Sequence, residues 1–507
     1  MANLDVDFDS ARSCIQKIES IIETLNTTFS TNGASNPAKS IDQLETFNIG
    51  YFTSLNTYVD SVVKDMTDKT TAANNYIAQL EGAKGMGAGD GAGEGGDGPG
   101  TAEGEEKPDF GKIETAEDLL AALQGLVDSG DMSAATMAKI EALLTKLQGM
   151  VDSGQLSGAT MDKMIKVLAK LAGLLESGQM SDATMSKLAN LLTSLTDLVA
   201  AEKMSEATLL KVVDLLETLA GLAESGKLSD KTMSKAADVL TKLAGLVESD
   251  KISDATMAKI TDVLIKLAGL VGTDKLSEDT LSTALDLLNA LAGLVDSGKM
   301  SEDQLNSLVD VINSLAGLVD AGKITDADMR SALLVLTKMS GLVESGKLSV
   351  DTIMALTGTL NNLCELTDAG VLDNESFTAM IEMYSKITDG IENDKMNEAS
   401  LVGTINTFSS MIEATGEGKL SKENFEQTLN FVNISLNDVD SGKLGTDLYD
   451  SNMNQIANNI ENLKNNDLPI EDYTLGLNSG IDKYNSYIDG EITKEDYSSY
   501  LTVETNN

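Results

Sequence analysis

The stretch "ESGKLSDKT" at residues 224–232 returns in variant form every 24 residues, and its acidic loop is the first place to look for chemistry. A calcium loop needs oxygen ligands at its first, third and twelfth positions, the last a bidentate Glu. If Gly226 and Leu228 take the glycine and the hydrophobic eighth position of such a loop, those ligand positions fall on Gly221, Ala223 and Thr232. No unit has Glu at the twelfth place. Specific calcium coordination is therefore not expected, whereas diffuse attraction of cations by an acidic surface is. The run "GAKGMGAGDGAGEGGDGPG" at 82–100 has the glycine spacing of a phosphate loop. No strand precedes it and no lysine opens a helix after it, so phosphate binding is not expected.

Histidine is absent, which removes the commonest acid, base and metal ligand of neutral pH. Cys14 and Cys364 lie far apart and form neither a disulfide framework nor a zinc spacing. The 22 methionines could form a soft-metal or peptide-binding surface, but most recur at positions that read as core. Paired carboxylates are plentiful on surface turns, and none is placed in a pocket. No catalytic residue, cofactor-binding residue or metal ligand is assigned, and an enzyme is not expected.

The balance of 80 acidic against 37 basic side chains, a formal charge of -43, bounds the partners. Phosphates and anionic membranes would be repelled, so nucleic acid and membrane surfaces are excluded as expected partners. Protein partners with cationic surfaces are favoured, without one being identified. No window approaches the length of apolar sequence that spans a bilayer. The first residues, "MANLDVDFDS", lack an apolar run, and an ordinary secretory signal is not expected.

Three sections follow from composition. Residues 1–81 place Ile15, Ile18, Ile21, Ile22 and Leu25 at helical spacing, break at "STNGASNP", and resume from about Ile41 to Leu80 with Leu44, Phe47, Leu55, Tyr58, Val62 and Met66. This predicts an antiparallel helical hairpin that gains core by dimerising or docking. Residues 82–112 are Gly-rich and acidic and predict a flexible linker. Residues 113–507 hold the repeat.

Counting units from Gly125, the 24-residue period runs to Tyr484 without insertion, and a last unit of 23 residues follows. The ninth position of a unit is mostly Ser or Thr, as in Ser133, Ser229 and Thr325, the side chains that cap a helix N-terminus. The eighth and thirteenth positions are apolar or aromatic, such as Ile252 and Met257, the spacing of a hydrophobic staple. The sixth is usually Gly and otherwise Asp or Asn, residues that tolerate the left-handed conformation closing a helix; Glu202 is the exception. Each unit thus predicts one helix of about 19 residues, roughly 28 Å long. Its apolar positions are too widespread for one stripe, so each helix must bury two sides. The recurring mid-helix glycine, as in Ala220-Gly221 and Ala268-Gly269, suggests close backbone approach between helices.

The pattern of residues 1–81, with "DFDSARSCIQKIESIIETL" as first helix and a second ending "AANNYIAQLEG", resembles the small helical-hairpin substrates and N-terminal domains of type VII (WXG-like) secretion systems. The Trp-x-Gly turn of that family is absent. The resemblance implies leaderless export, and Tyr500 with Glu504 fits the spacing of the family's Tyr-x-x-x-Asp/Glu tag, as Tyr487 with Glu491 does.

The expected fold is all-α: a hairpin, a linker and an elongated solenoid of single-helix repeats in two stacked layers. The final units carry Tyr473, Tyr484, Tyr487 and Tyr497, which either close the last apolar face or form an interface. Three functional readings arise. The first is a non-enzymatic scaffold or binding protein exported to a bacterial surface. The others are an intracellular spacer oligomerising through the hairpin and a calcium-responsive acidic array.

Overall fold

The computed structural model describes residues 110–498, all within the second of the two units into which the chain divides, Glu106–Asn507. The predicted hairpin over 1–81, nearly all of the predicted linker, and Tyr500 and Glu504 lie outside the described residues. The 3-10 turn Phe110–Lys112 comes first. It is followed by α1 (Ala116–Ser129), α2 (Ala134–Asp152), α3 (Gly158–Glu176), α4 (Asp182–Ala200), α5 (Glu206–Glu224) and α6 (Asp230–Glu248). Next come α7 (Asp254–Gly272), α8 (Glu278–Asp296), α9 (Glu302–Asp320), α10 (Asp326–Glu344) and α11 (Val350–Asp368). The series ends with α12 (Asn374–Glu392), α13 (Glu398–Gly416), α14 (Lys422–Asp440), α15 (Thr446–Lys464) and α16 (Ile470–Ile488). Another helical segment opens at Lys494. Among the described residues there is no strand, and no helix is long and apolar enough to cross a membrane.

The unit boundaries have local causes. From Thr115 to Ser421, every N-cap side chain accepts the amide three residues on; Ser253, for example, caps Thr256 at 3.3 Å. Gly445 and Pro469 open α15 and α16 without a side-chain cap. At the other end the sixth position takes positive φ throughout, including Glu202 at 59°. That turn lets the next amides return to the last helical carbonyls, as Lys227 does to Leu222 at 2.8 Å.

Packing is heaviest between helices two apart, such as α3 with α5 and α13 with α15, and lighter between consecutive ones. Contacts between helices two apart join like ends: the start of α3 touches the start of α5, through Ser157 and Glu206. Helices two apart are therefore parallel and level, so the helix between them must run back. Odd and even helices form two layers, and one continuous core runs from Ile113 to Tyr497. The all-α solenoid expected from the period is the observed architecture.

One expectation needs correction. The mid-helix glycines do not mark close backbone approach. A Cβ on Gly245, Gly269 or Gly341 would meet nothing within 4 Å, and on Gly221 or Gly293 it would meet only the tip of Lys170 or Lys242. These glycines lie on the outer face, and a lysine from the helix two before reaches over Gly221, Gly293 and Gly317. The described residues open on Phe110, which packs on α3. The Phe110 ring lies over Gly173 of α3, 3.8 Å from where a Cβ would sit.

Candidate functional site

The polar side chains that recur in the repeat meet across helices two apart. Lysine at the seventh position reaches forward to a carbonyl in the last turn of the second helix on. Lys227 donates to Gly272 O at 2.7 Å, Lys275 to Asp320 O at 2.8 Å and Lys347 to Glu392 O at 2.8 Å. Those carbonyls lack helical partners and carry the negative end of the dipole, which a cation satisfies.

The acid at the tenth position does the converse. Glu206 accepts the Ser157 amide at 2.9 Å, and Glu302 accepts that of Ser253 at 2.8 Å. The hydroxyls of Ser157 and Thr160, against a smaller effect of burial, hold the Glu206 carboxyl below its ordinary range. A third rung joins the fifteenth and eighteenth positions on the outer face: Lys187–Asp238 at 2.7 Å, Lys211–Asp262 at 2.6 Å, Lys235–Asp286 at 2.8 Å and Lys259–Asp310 at 2.7 Å.

The rungs are missing at the first helices of each layer, and also inside the array, where the tenth position is Val350, Asn374, Thr446 or Ile470 and the seventh is Val371. The tenth position of α2 is Ala134, and α2 opens its layer. The tenth position of α3 is Gly158, and the helix before it in the layer, α1, has a cap, Thr115, that turns to its own Asp118 at 2.7 Å. The seventh position of the last units is Asp467 and Glu491 in place of lysine. The pairing also explains which residues replace glycine at the left-handed turn. Asp250, Asp274 and Asp394 are ion-paired with Lys203, Lys227 and Lys347 at 2.8–2.9 Å. At the Glu202 turn the reaching residue is Gln155, whose amide donates to Ala200 O. Left-handed backbone costs a non-glycine residue about 1–2 kcal/mol, so Glu202→Gly is expected to stabilise the array by about 1 kcal/mol. Denaturant titration of the full chain measures this, and no gain would mean that an unseen interaction holds Glu202.

The candidate interface tyrosines are placed by the same two-helix step. Tyr473 and Tyr484 are 3% and 1% exposed, and Tyr497 1%. Their hydroxyls meet Thr428 (2.9 Å), Asp438 (2.7 Å) and Asn452 (2.7 Å), respectively. Burial pushes the Tyr473 phenol up to about 12. Tyr487 is half-buried and stacks on Tyr497 at 5.2 Å. These rings close the last units inward. The outer side of α16 is polar apart from Leu475, with Asn478, Ser479, Asp482 and Lys483 exposed.

A hollow of about 160 Å³ opens between α12 and α14, at Gly390, where most earlier units have Leu. Met396 leans into the missing side chain's space, 2.9 Å from where a Cβ would be. The charges on its rim are already partnered: Lys395 with Asp440 at 2.6 Å, and Lys386 with Asn433 and Asn437. Among the described residues no group of three metal-ligating side chains comes together. Gly221 and Ala223, the loop positions of a calcium reading, lie inside α5. Cys364 is buried, and burial beside Glu365 raises its thiol to about 12.

No family model, curated protein or solved structure matches the chain.

Sequence reasoning missed the rungs. Their signal was present: lysine recurs at positions seven and fifteen, with acids at ten and eighteen. Reading it requires knowing that a unit's neighbour lies 48 residues away, not 24.

Proposed function

We propose that the chain is a non-enzymatic helical-repeat scaffold or binding protein, exported by a leaderless type VII-like route and acting at a bacterial surface. One observation carries the scaffold reading. The recurring polar side chains join each helix to the one two units on, so much of the repeat's polar chemistry holds its length and register. Such an array presents long outer faces and keeps two ends apart. The export reading draws on the pattern of residues 1–81. The acidic surface favours a partner with basic side chains.

Cell fractionation with protease accessibility of the intact native cell tests localisation. Full-length protein in the secreted or protease-accessible fraction is the expected result. Confinement to the cytoplasm would remove the export reading and leave the intracellular spacer oligomerising through its hairpin. Capture with the full chain should then be lost in the presence of excess polylysine if the partner is held by charge, and its persistence would remove that part of the reading.

A further inference from the structure

Two independent features separate residues 349–498 from the units before them. The first is charge. Residues 113–348 hold 34 acidic and 21 basic side chains, whereas residues 349–498 hold 27 and 8. Among the described residues, the lysine–aspartate rungs between positions fifteen and eighteen tie α3 through α9 and have no counterpart later. The eleventh position also changes. It is alanine in α2 to α5 and acidic in most later helices. In one layer Glu375, Glu423 and Glu471 stack as an exposed acidic column on α12, α14 and α16.

Neighbouring helices lie about 8–10 Å apart. That spacing is close to the Debye length of about 10 Å at 0.1 M salt. Like charges at this separation are what salt screens. An ion pair in contact, such as Lys187–Asp238 at 2.7 Å, is screened far less.

The second feature is polar satisfaction. Among the described residues, four buried side-chain polar atoms between Asn374 and Asn452 lack a hydrogen-bond partner: Asn374 Oδ1, Tyr384 Oη, Gln427 Oε1 and Asn452 Nδ2. A buried donor or acceptor without a partner costs stability. In the earlier helices only Asp254 and Asn306 have such an atom. Repeat arrays contact only near neighbours, so a weak stretch can open without the rest.

We propose that α11–α16 are a conditionally stable half of the array, loosened at low ionic strength by their acidic columns and tightened by cations, while α2–α10 keep their packing. The acidic column of Glu375, Glu423 and Glu471 runs through the half that holds most of the unsatisfied buried polar atoms. Cation concentration then acts as a conformational control on one end of the scaffold.

Hydrogen–deuterium exchange on the full chain, read peptide by peptide by mass spectrometry, tests this. At about 0.01 M NaCl, amides of α12–α15 should exchange about tenfold faster than those of α3–α9. Raising NaCl to about 0.5 M should slow α12–α15 about tenfold and change α3–α9 by less than about threefold. A variant carrying Glu375→Gln, Glu423→Gln and Glu471→Gln should reproduce part of that slowing, about threefold, without added salt. A salt response shared equally by both halves would overturn the proposal, as would a triple variant that exchanges like the native chain. MgCl2 matched in ionic strength should act much as NaCl does. A far larger effect of magnesium would replace screening by specific binding and so overturn the screening mechanism.

Discussion

Met257→Asp should lower the stability of the array by several kcal/mol, because it places a carboxylate where no cation or donor can reach it. Met257 is fully buried at the thirteenth position of α7, and the same position is filled by Met233 before it and Leu281 after it. α7 packs against α5 and α9, so the charge disturbs those helices as well. Coupling in a repeat array runs between near neighbours, and the damage should stay local at first. Guanidinium unfolding followed by circular dichroism should then show an early phase that the native chain lacks. Met257→Leu controls for shape and is expected to cost less than about 1.5 kcal/mol. Ser253→Ala, which removes the cap of the same helix and a donor to Glu302, should cost about 1 kcal/mol. If Met257→Asp melts like the native chain, the assignment of inner and outer faces is wrong.

The features legible in the sequence are those set by short-range physics. Ser229 reads as a cap because its hydroxyl serves an amide three residues on, and Gly226 reads as a helix end because its conformation is left-handed. Both signals are complete within one unit. Glu202 shows the strength of that logic, since the turn forms there although the residue is unsuited to it. Relations between units were not legible to the same degree. Gly221 looked like a close-packing residue, yet it lies outside, beneath Lys170 from 51 residues earlier. Lys211 and Asp262 are also 51 residues apart, and nothing local marks them as partners. Identical units conceal which copy is the neighbour, because every copy offers the same groups.

Ending the chain after Asn466 should lower the melting temperature and cause self-association. The deletion removes α16 and the segment that opens at Lys494. It takes Tyr473 from Thr428, Tyr497 from Asn452, and the Tyr484 ring from Phe431, which it meets edge-on at 5.2 Å. Phe431 and Asn452 are buried in the intact array, where they meet Tyr484 and Tyr497, and truncation uncovers that side of α14 and α15. An exposed apolar face on a long array is an association site, which is why terminal repeats must be polar outside. Sedimentation velocity and thermal melting, each run on the full chain and on the truncated one, give the comparison. The cap requires a lower melting temperature and larger species. A truncated protein that stays monomeric, melts as the full chain does and loses only a partner would assign the tyrosines to recognition instead. The inward hydroxyls argue for the first outcome, because Tyr473 and Tyr497 already spend their polar ends on Thr428 and Asn452, which a partner would have to replace.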